Sequence, residues 1–508
     1  MNSKQLKFGV VLSYVSMGIN MIIQLAYTPI MIRLLGQSEY GLYTLVGSVV
    51  SYLSLFSLGF TGAYLRFYSR YAERDDKVGV ARLNGMFISI FCVMGIVACV
   101  CGLVMAEFTP QILGDKLSEN ELGTAKILMQ ILVLNIALTF PTSIFDSIIS
   151  SKEKFIFQRT ITLISILFNP FICLPLLLMG YGSIAIVSVT TILTILKLII
   201  NIFYCIKKLK VPVLFGYFDV ALIKEIGGFS FFIFLNMIID QVNWSVDKFV
   251  LGRVSGTGAV AIYGVATQFN TIFMNLTNAI SSVFAPRVNR IVAACEKNMN
   301  LVLPDLLVKV GRLQFLFALY VFIGFVFCGK PFIQMWAGAE YTDAYYVALL
   351  LIFPLIIVLP HSVGVEIRRA KNLHKKASLI MLVTAALNLL ISIPLAIWFG
   401  AVGAALGTCV GMFINMLLMD IYYLKVVELN VLKLLRNICE LFIKLIIPIG
   451  FGVLGLFFET LKMCIIWAGL YTIVYVFIMY KFAMNAEEKE MILGMFRKVI
   501  SKVKKRGI

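Results

Sequence analysis

Residues 8–35 read FGVVLSYVSMGINMIIQLAYTPIMIRLL. The run contains one charged residue, Arg33, and it exceeds the roughly 20 apolar residues that a helix needs to cross a bilayer. It is also too long for the apolar core of a cleavable signal peptide, which has about 7 to 15 residues. We therefore expect a first transmembrane helix that stays in the membrane.

Runs of this kind recur along the whole chain. Of its 508 residues, 60% are hydrophobic and 14% are charged, against roughly 25% charged in soluble domains, and the mean hydropathy is +0.95. We predict an all-α polytopic membrane protein with about fourteen transmembrane helices and no sizeable soluble domain. The predicted spans are residues 8–35, 41–65, 83–106, 127–150, 157–179, 182–205, 227–251, 259–285, 313–328, 344–365, 377–399, 401–424, 438–458 and 463–482.

The positive charge follows the predicted topology. With the N-terminus inside, 35 of the 44 Lys and Arg residues fall in cytoplasmic segments and six in outer loops, as the positive-inside rule requires. We expect both termini in the cytoplasm. The net charge of +18 is then explained by topology, and no nucleic acid is expected as a partner.

An internal repeat divides the predicted helices. An offset of 216 places Asn20 on Asn236 and Gly36 on Gly252, an offset of 220 pairs Tyr43 with Tyr263, and later offsets of 219 to 220 continue the match. Because six crossings form each copy, we predict two parallel-topology six-helix lobes. The predicted domains are residues 1–210 and 211–430 as lobes, 431–485 as an unmatched helix pair, and 486–508 as a basic cytoplasmic tail.

Polar residues recur at helical spacing inside three predicted spans. Such groups are costly in hydrocarbon, so they should face protein or water. They predict a polar pathway between the lobes, although interhelical hydrogen bonding explains the neutral ones equally well. The residues are Asn20, Gln24 and Tyr27 on helix 1, Asn236, Asp240, Asn243 and Asp247 on helix 7, and Asn275 and Asn278 on helix 8.

Charged groups supply further candidates. Arg66, Arg70 and Arg290 lie at predicted cytoplasmic helix ends, where they could receive an anionic headgroup or simply mark the inner side. Asp146 joins Asp240 and Asp247 as a carboxylate available for proton or sodium coupling. Lys197 is a weaker candidate that could reach the membrane interface.

Enzymatic chemistry is not indicated by any motif. The chain has no phosphate-binding loop of the GxxxxGK[ST] type, no nucleophile paired with a base and no CxxC pair among its ten cysteines. His361 and His374 have no metal partner at suitable spacing. We predict no metal and no cofactor other than a coupling ion, and a protein that is not an enzyme, with a polytopic glycan polymerase or transferase as the remote alternative.

Two segments resemble a known family. The stretch YTPIMIRLLGQSEYGLY at 27–43, with SLGF at 57–60 and LRF at 65–67, is similar to the start of Wzx-type oligosaccharide flippases of the multidrug/oligosaccharidyl-lipid/polysaccharide exporter superfamily. The run DKFVLG at 247–252 and AIYGVA at 261–266 resemble that family's junction between helices 7 and 8. The similarity extends over the whole chain, with loose motifs.

The resemblance implies a transporter of the bacterial inner membrane. It would flip undecaprenyl-diphosphate-linked oligosaccharide units to the outer leaflet by alternating access, for surface polysaccharides such as O-antigen, with membrane lipids and the polysaccharide polymerase machinery as partners. By analogy with lipid II flippases, helices 13 and 14 would shelter the isoprenoid. Helix 1 lacks the carboxylate that many multidrug exporters carry, yet a cation-coupled multidrug exporter remains the alternative.

Overall fold

The structure, a computed structural model, describes residues 3–114, 116–294, 299–371, 373–458 and 460–490. Within these ranges every regular element is helical, which confirms the predicted all-α class. The predicted basic tail lies outside the described residues from position 491 onward. The α-helices are α1 Ser3–Val50, α2 Phe60–Glu73, α3 Lys77–Glu107, α4 Thr109–Leu113, α5 Glu119–Ser151, α6 Phe155–Leu178, α7 Gly182–Phe203, α8 Val220–Ser255, α9 Thr257–Ser282, α10 Ala285–Ala293, α11 Met299–Trp336, α12 Ala344–Ile352, α13 Leu355–Val358, α14 Ser362–Ala370, α15 His374–Tyr422, α16 Val431–Lys444, α17 Ile446–Val453 and α18 Leu461–Ile478.

The described helices are those of a multi-pass membrane protein. Nine helical segments in the described ranges are long and apolar enough to cross a bilayer, or up to eleven if each of two bent pairs is one span. Two of the nine, Val15–Glu73 and Lys375–Val427, each cover two predicted spans. A straight helix of 48 residues such as α1 would be about 72 Å long, more than twice the hydrocarbon thickness. The count of fourteen stays a prediction.

Two long helices bend at glycines. The backbone of Gly36 in α1 has φ 74° and that of Gly400 in α15 has φ 57°, so neither residue is helical. Glycine reaches this region without a Cβ clash, which lets one continuous run of apolar sequence turn between two crossings.

Polar caps move several helix starts outward from the predicted spans. Ser118 and Glu121 form a capping box, so α5 begins at Glu119 rather than at 127. The helix α11 also extends beyond its predicted span, with Met299 as its first described residue where the span begins at 313. These helices are longer than the predicted spans because hydropathy marks the apolar part of a helix, whereas its polar end turns continue beyond that part.

Other predicted spans are interrupted. The predicted helix at 41–65 is broken by a 3₁₀ turn, Ser51–Ser57, followed by Leu58 and Gly59 in the left-handed region. The predicted helix at 344–365 is divided at Pro354 and Pro360 into α12, α13 and α14. The predicted helix at 438–458 bends by 56° between α16 and α17.

The bends also correct the internal repeat. Gly256, between α8 and α9, has φ 82° and ψ −175°, close to the φ 74° and ψ 170° of Gly36, whereas Gly252 lies inside α8. The equivalent of Gly36 is therefore Gly256, at the offset of 220 already seen for Tyr43. The offset of 216 was wrong by one helical turn, because apolar helices match at several registers.

The corrected register changes which polar residues correspond. At an offset of 220, Asn20 is the counterpart of Asp240 and Tyr27 is the counterpart of Asp247. The predicted pairings of Asn20 with Asn236, Gln24 with Asp240 and Tyr27 with Asn243 are replaced. Helix 1 then offers a neutral group at each place where α8 carries a carboxylate.

The chain divides into two compact units. The first is Met1–Gly264 with Leu389–Ala404, and the second is Val265–Asn388 with Ala405–Ile508. In the first unit α8 packs against α1, the 3₁₀ turn and α2, beside a core of buried aromatic residues that includes Tyr64, Phe87 and Phe91. The lobe boundaries at 210 and 430 stay a prediction.

The second unit is built around α11. The helices α16, α17 and α18 all pack against it, so the unmatched C-terminal segment is joined to this unit. Tyr475 of α18 donates a hydrogen bond to the Leu316 carbonyl at 2.7 Å, and Tyr471 donates one to the Tyr320 carbonyl at 3.2 Å. These bonds satisfy buried tyrosine hydroxyls that would otherwise be costly in an apolar setting.

Candidate transport site

The polar stripe of α8 has a graded exposure. Asp240 is exposed, Asn236 and Asn243 are half-buried, and Asp247 is buried. Asn236 donates a hydrogen bond to the Phe232 carbonyl of its own helix at 2.7 Å. Of the two predicted carboxylates on α8, Asp240 is thus the one that water or a substrate can reach.

Asp247 is held by a tyrosine of the next helix. The Tyr263 hydroxyl donates a hydrogen bond to its carboxylate at 2.5 Å, and both residues are buried. Charge-assisted bonds of this kind are about twice as strong as neutral ones. Since Tyr27 and Tyr43 of the first repeat lie near one another at the equivalent places, the repeat keeps a polar pair here and replaces its carboxylate by a phenol.

Sequence reasoning missed the contact between α8 and the 3₁₀ turn. Gln241 donates a hydrogen bond to the Ser51 hydroxyl, which also lies 3.4 Å from the hydroxyl of Ser245. Ser51 was not selected because its segment was predicted as a regular helix. These residues fasten α8 to the first repeat midway along its length.

The helix 1 candidates lie in the same unit as the α8 stripe. Asn20, Gln24 and Tyr27 are half-buried on α1, and the hydroxyl of Tyr27 is buried beside Cys173. In the second unit Asn275 is exposed and Asn278 is half-buried on α9. That these residues line one pathway stays a prediction.

The predicted cytoplasmic arginines differ in their partners. Arg70 forms two hydrogen bonds with the Glu225 carboxylate, at 2.5 and 2.9 Å, and its guanidinium lies over the Phe67 ring. Arg66 and Arg290 are exposed. An anionic headgroup would have to displace Glu225 to bind Arg70, and the same carboxylate also feels the charge of Arg66.

Asp146 has a full set of partners. One carboxylate oxygen lies 2.7 Å from the Lys197 ammonium, and the other accepts a hydrogen bond from Asn201 at 2.9 Å. Lys197, expected at the interface, instead lies in an ion pair between α5 and α7. This pattern favours a structural role for both residues.

A carboxylate that sequence reasoning missed joins the predicted outer ends of three helices. Glu121 of α5 accepts hydrogen bonds from Ser38 of α1 and from Thr257 of α9, the latter at 3.0 Å. Ser38 lies two residues after the bend at Gly36, and Thr257 directly follows the bend at Gly256. Their hydroxyls are 3.3 Å apart. Glu121 therefore closes this end of the first unit, and its capping-box motif was the available signal.

An apolar groove lies between α11 and α18 in the second unit. It has a volume of about 390 Å³, and its walls are almost wholly apolar. Residues of its wall include Leu313, Phe317, Tyr320, Thr472, Val476 and Met479. Such a groove can take an aliphatic chain, whose burial is favourable by about 0.8 kcal/mol per CH₂ group.

Known proteins resemble the chain in sequence and in fold. A probable low-salt glycan biosynthesis flippase, Agl15 of Haloferax volcanii, is 23% identical over 211 residues, 40% of each chain. A putative O-antigen transporter of Shigella flexneri is 21% identical over 61% of this chain and 71% of that protein. The lipid II flippase MurJ, in an inward closed conformation, superimposes with a TM-score of 0.74 at 18% identity, covering 93% of this chain and 97% of MurJ.

The match to Agl15 spans less than half of that relative's length, and the likeness to MurJ shows the fold. The named relatives are flippases and transporters, which agrees with the prediction that the chain is not an enzyme. The predicted resemblance to Wzx-type flippases is confirmed by the family model for polysaccharide biosynthesis proteins, which matches residues 6–292. The chain therefore belongs to the polysaccharide biosynthesis protein family.

Proposed function

We propose that this protein flips undecaprenyl-diphosphate-linked oligosaccharide units from the inner to the outer leaflet of the bacterial inner membrane. The family match supports a role in glycan assembly, and the relatives' names supply the transport step. The single structural observation that carries the proposal is the groove between α11 and α18, because a lipid-linked cargo needs an apolar surface for its tail. A small drug has no such tail and would not need this surface.

Alternating access supplies the mechanism. The end of the first unit held by Glu121 must open for the sugar to leave, and only its few hydrogen bonds and the local packing oppose that opening. The diphosphate would be drawn to exposed cationic groups such as Arg66 and Arg290. Asp240, accessible on α8, would face the polar sugar or a coupling cation.

Deletion of the gene tests the transport proposal directly. We expect loss of surface polysaccharide and accumulation of lipid-linked intermediates on the cytoplasmic side. Unchanged glycan with altered dye accumulation would instead establish a small-molecule exporter. Glycosidic bond formation by the purified protein would establish a polymerase or transferase.

Filling the groove tests the tail site. Val476→Trp should block export because the indole occupies the groove that Val476 lines. Ile473→Trp is the matched control, since Ile473 lies on the same helix, is 68% exposed and is not in the groove wall. Equal export by the two variants would dispose of the groove as a tail site.

The carboxylate of α8 has its own test. Asp240→Asn should reduce flipping without lowering the amount of protein in the membrane. Asp219→Asn is the control, because Asp219 caps the same helix and Asn is an equally good cap. Wild-type glycan from the Asp240 variant would show that its charge is dispensable.

A further inference from the structure

A second pair of titratable groups lies buried in the second unit, apart from the α8 stripe. His361, after Pro360, is 6% exposed, and Asp420 near the end of α15 is 7% exposed. The His361 Nε2 atom is 3.3 Å from the Asp420 Oδ1 atom. Neither Asp420 oxygen accepts a hydrogen bond. Buried polar groups without such bonds are rare in folded proteins, so the site calls for a reason.

The histidine ring is oriented by its own backbone. Its Nδ1 atom is 2.9 Å from the Ile357 carbonyl, and because a carbonyl only accepts, Nδ1 carries a hydrogen. The Nε2 atom is therefore the one that can gain or lose a proton, and it faces Asp420. The two residues present one proton position, shared between a nitrogen and a carboxylate oxygen.

Charge decides which protonation state this conformation holds. With one proton between Nε2 and Oδ1 the pair is neutral overall, whether as imidazolium with carboxylate or as imidazole with carboxylic acid. Without that proton, Asp420 is a buried carboxylate that accepts no hydrogen bond in this conformation, which is unfavourable. Release of the proton thus requires water or a new partner to reach Asp420, and hence a conformational change.

The neighbouring charged groups do not supply that partner here. On α14, Arg369 forms an ion pair with Glu366. The buried Arg368 donates from its Nη1 atom to the sulfur atoms of Met381 and Met419. Tyr423, which follows α15, is close enough to Arg368 and to Asp420 to feel the charge of both. The Nε donor of Arg368 lacks a hydrogen bond, so a cation is available nearby without being used.

Among the described residues, the charged groups considered on α11 and α10 are either paired or exposed. On α11, Gln314 is neutral and accepts a hydrogen bond from Ser362, while Arg312 is bound to Glu488. On α10, which packs against α14, Arg287 and Arg290 are exposed. The proton position between His361 and Asp420 is therefore the titrating element of this buried region.

We propose that His361 and Asp420 form a proton-binding site that couples proton movement across the membrane to transport. The coupling part of the proposal rests on the proposed flippase function, whereas proton binding by the pair does not. The proton arrives when the site is open to one side, is held in the conformation described here, and leaves on the other side once water reaches Asp420. The cycle needs no metal and no further cofactor.

Proton binding is tested by nitrogen-15 NMR on the full chain in lipid nanodiscs. The chain has two histidines, so His374→Gln leaves His361 as the single labelled ring. We expect its Nε2 resonance to shift when Asp420→Asn is added and its pH titration to change. Glu366→Gln is the matched control, a carboxylate on the adjacent α14 that is bound to Arg369. Identical spectra for the Asp420 and Glu366 variants would overturn the proposal.

Coupling is tested through export of the cell's own surface glycan, with and without a protonophore. Asp420→Asn should lower export about tenfold, within the usual range of coupling between sites, and remove its response to the protonophore. His361→Gln should do the same, which guards against one variant that misfolds. Wild-type export with an unchanged protonophore response in both variants would overturn coupling.

The two proposals fail in different ways. If the wild-type protein exports no glycan, the flippase function is wrong, and the NMR titration still decides whether the pair binds a proton. If the wild-type protein exports glycan but the spectra of the two carboxylate variants are identical, the proton site is wrong and the flippase stands.

Discussion

Two buried pairs in the second unit each join a basic side chain to an acidic one, and the two pairs differ in how many hydrogen bonds they make. Arg312 is 3% exposed, and its three guanidinium nitrogens bond to Glu488 at 2.7 Å, to Asn437 at 2.9 Å and to the Ala483 carbonyl at 2.9 Å. Asp420, similarly buried, accepts no hydrogen bond and has one ionic contact, with His361.

The number of hydrogen bonds distinguishes a buried pair that joins helices from a buried pair that could bind a proton. In the Arg312–Glu488 pair all three guanidinium nitrogens are hydrogen-bonded, so the pair joins α11 to α16 and to the segment after α18. An unsaturated pair leaves capacity for a proton or a new partner. Burial of a charge in a membrane protein is therefore informative only together with a count of its hydrogen bonds.

Loss of Arg312 should have the largest effect. Arg312→Leu leaves Glu488 buried without its cation, and breaking such a pair costs about 3 to 5 kcal/mol of unfolding free energy. Thermal unfolding in detergent, followed by size-exclusion chromatography, measures the loss. The control is Arg287→Leu, an exposed arginine that lines one polar pocket together with Lys309, Arg312 and Glu488. Equal losses in the two variants would mean that burial does not set the value of the pair.

The intramembrane pair of the first unit should come next. Lys197→Met leaves Asp146 with only Asn201, and because both side chains are partly exposed we expect a loss of about 2 kcal/mol. Adding Asp146→Asn removes the orphaned charge and should recover most of the stability. A double variant as unstable as Lys197→Met alone would show that packing, not charge, explains the loss.

Sequence reasoning predicted the fold class and the transport family from apolar runs, charge asymmetry and two motifs. It failed where one register resembles another. The match of Gly36 to Gly252 arose from the chance similarity of apolar helices. The backbone bend at Gly256 identifies that residue as the equivalent of Gly36. Interruptions at Ser51–Ser57 were equally invisible, because every residue there is compatible with a helix.

The candidate site was less accessible to prediction. The α8 stripe could be read from spacing, but the partners of Asp146 and Asp247 depend on which helices are neighbours, and spacing along one helix does not contain that information. His361 was considered only as a metal ligand, and Asp420 was not considered at all. Their proximity joins residues 59 positions apart on separate helices.

Neutralising Asp420 should affect stability least among the buried charges. Asp420→Asn replaces a carboxyl group whose oxygens accept no hydrogen bond in this conformation, and we expect a change of less than about 1 kcal/mol, of either sign. Glu488→Gln is the matched comparison, since it leaves the buried Arg312 charge without its counterion and should cost about 2 kcal/mol. Parallel unfolding curves of the two variants measure the difference. A larger loss at Asp420 would make its pair structural and erase the distinction drawn above.

The smallest effect is expected at an exposed pair beside Arg312. Lys309 and Glu487 are 2.7 Å apart, but the Glu487 side chain is 77% exposed, and exposed pairs of this kind contribute little and are screened by salt. The Lys309 ammonium lowers the pKa of Glu487 below its usual value. Any stabilisation is therefore present near neutral pH and lost as the pH falls through the carboxyl range.

Lys309→Met should accordingly unfold like the wild-type protein near neutral pH and at acidic pH alike, in low and in high salt. Arg312→Leu, measured in the same series, should remain destabilised at every salt concentration, because its pair is inaccessible to ions. If Lys309→Met instead reproduces the loss seen at Arg312, the polar pocket acts as one network and hydrogen-bond saturation of a single buried residue is not what stabilises it. If Lys309→Met unfolds like the wild-type protein, the stabilisation belongs to the buried Arg312 guanidinium and not to the exposed pair.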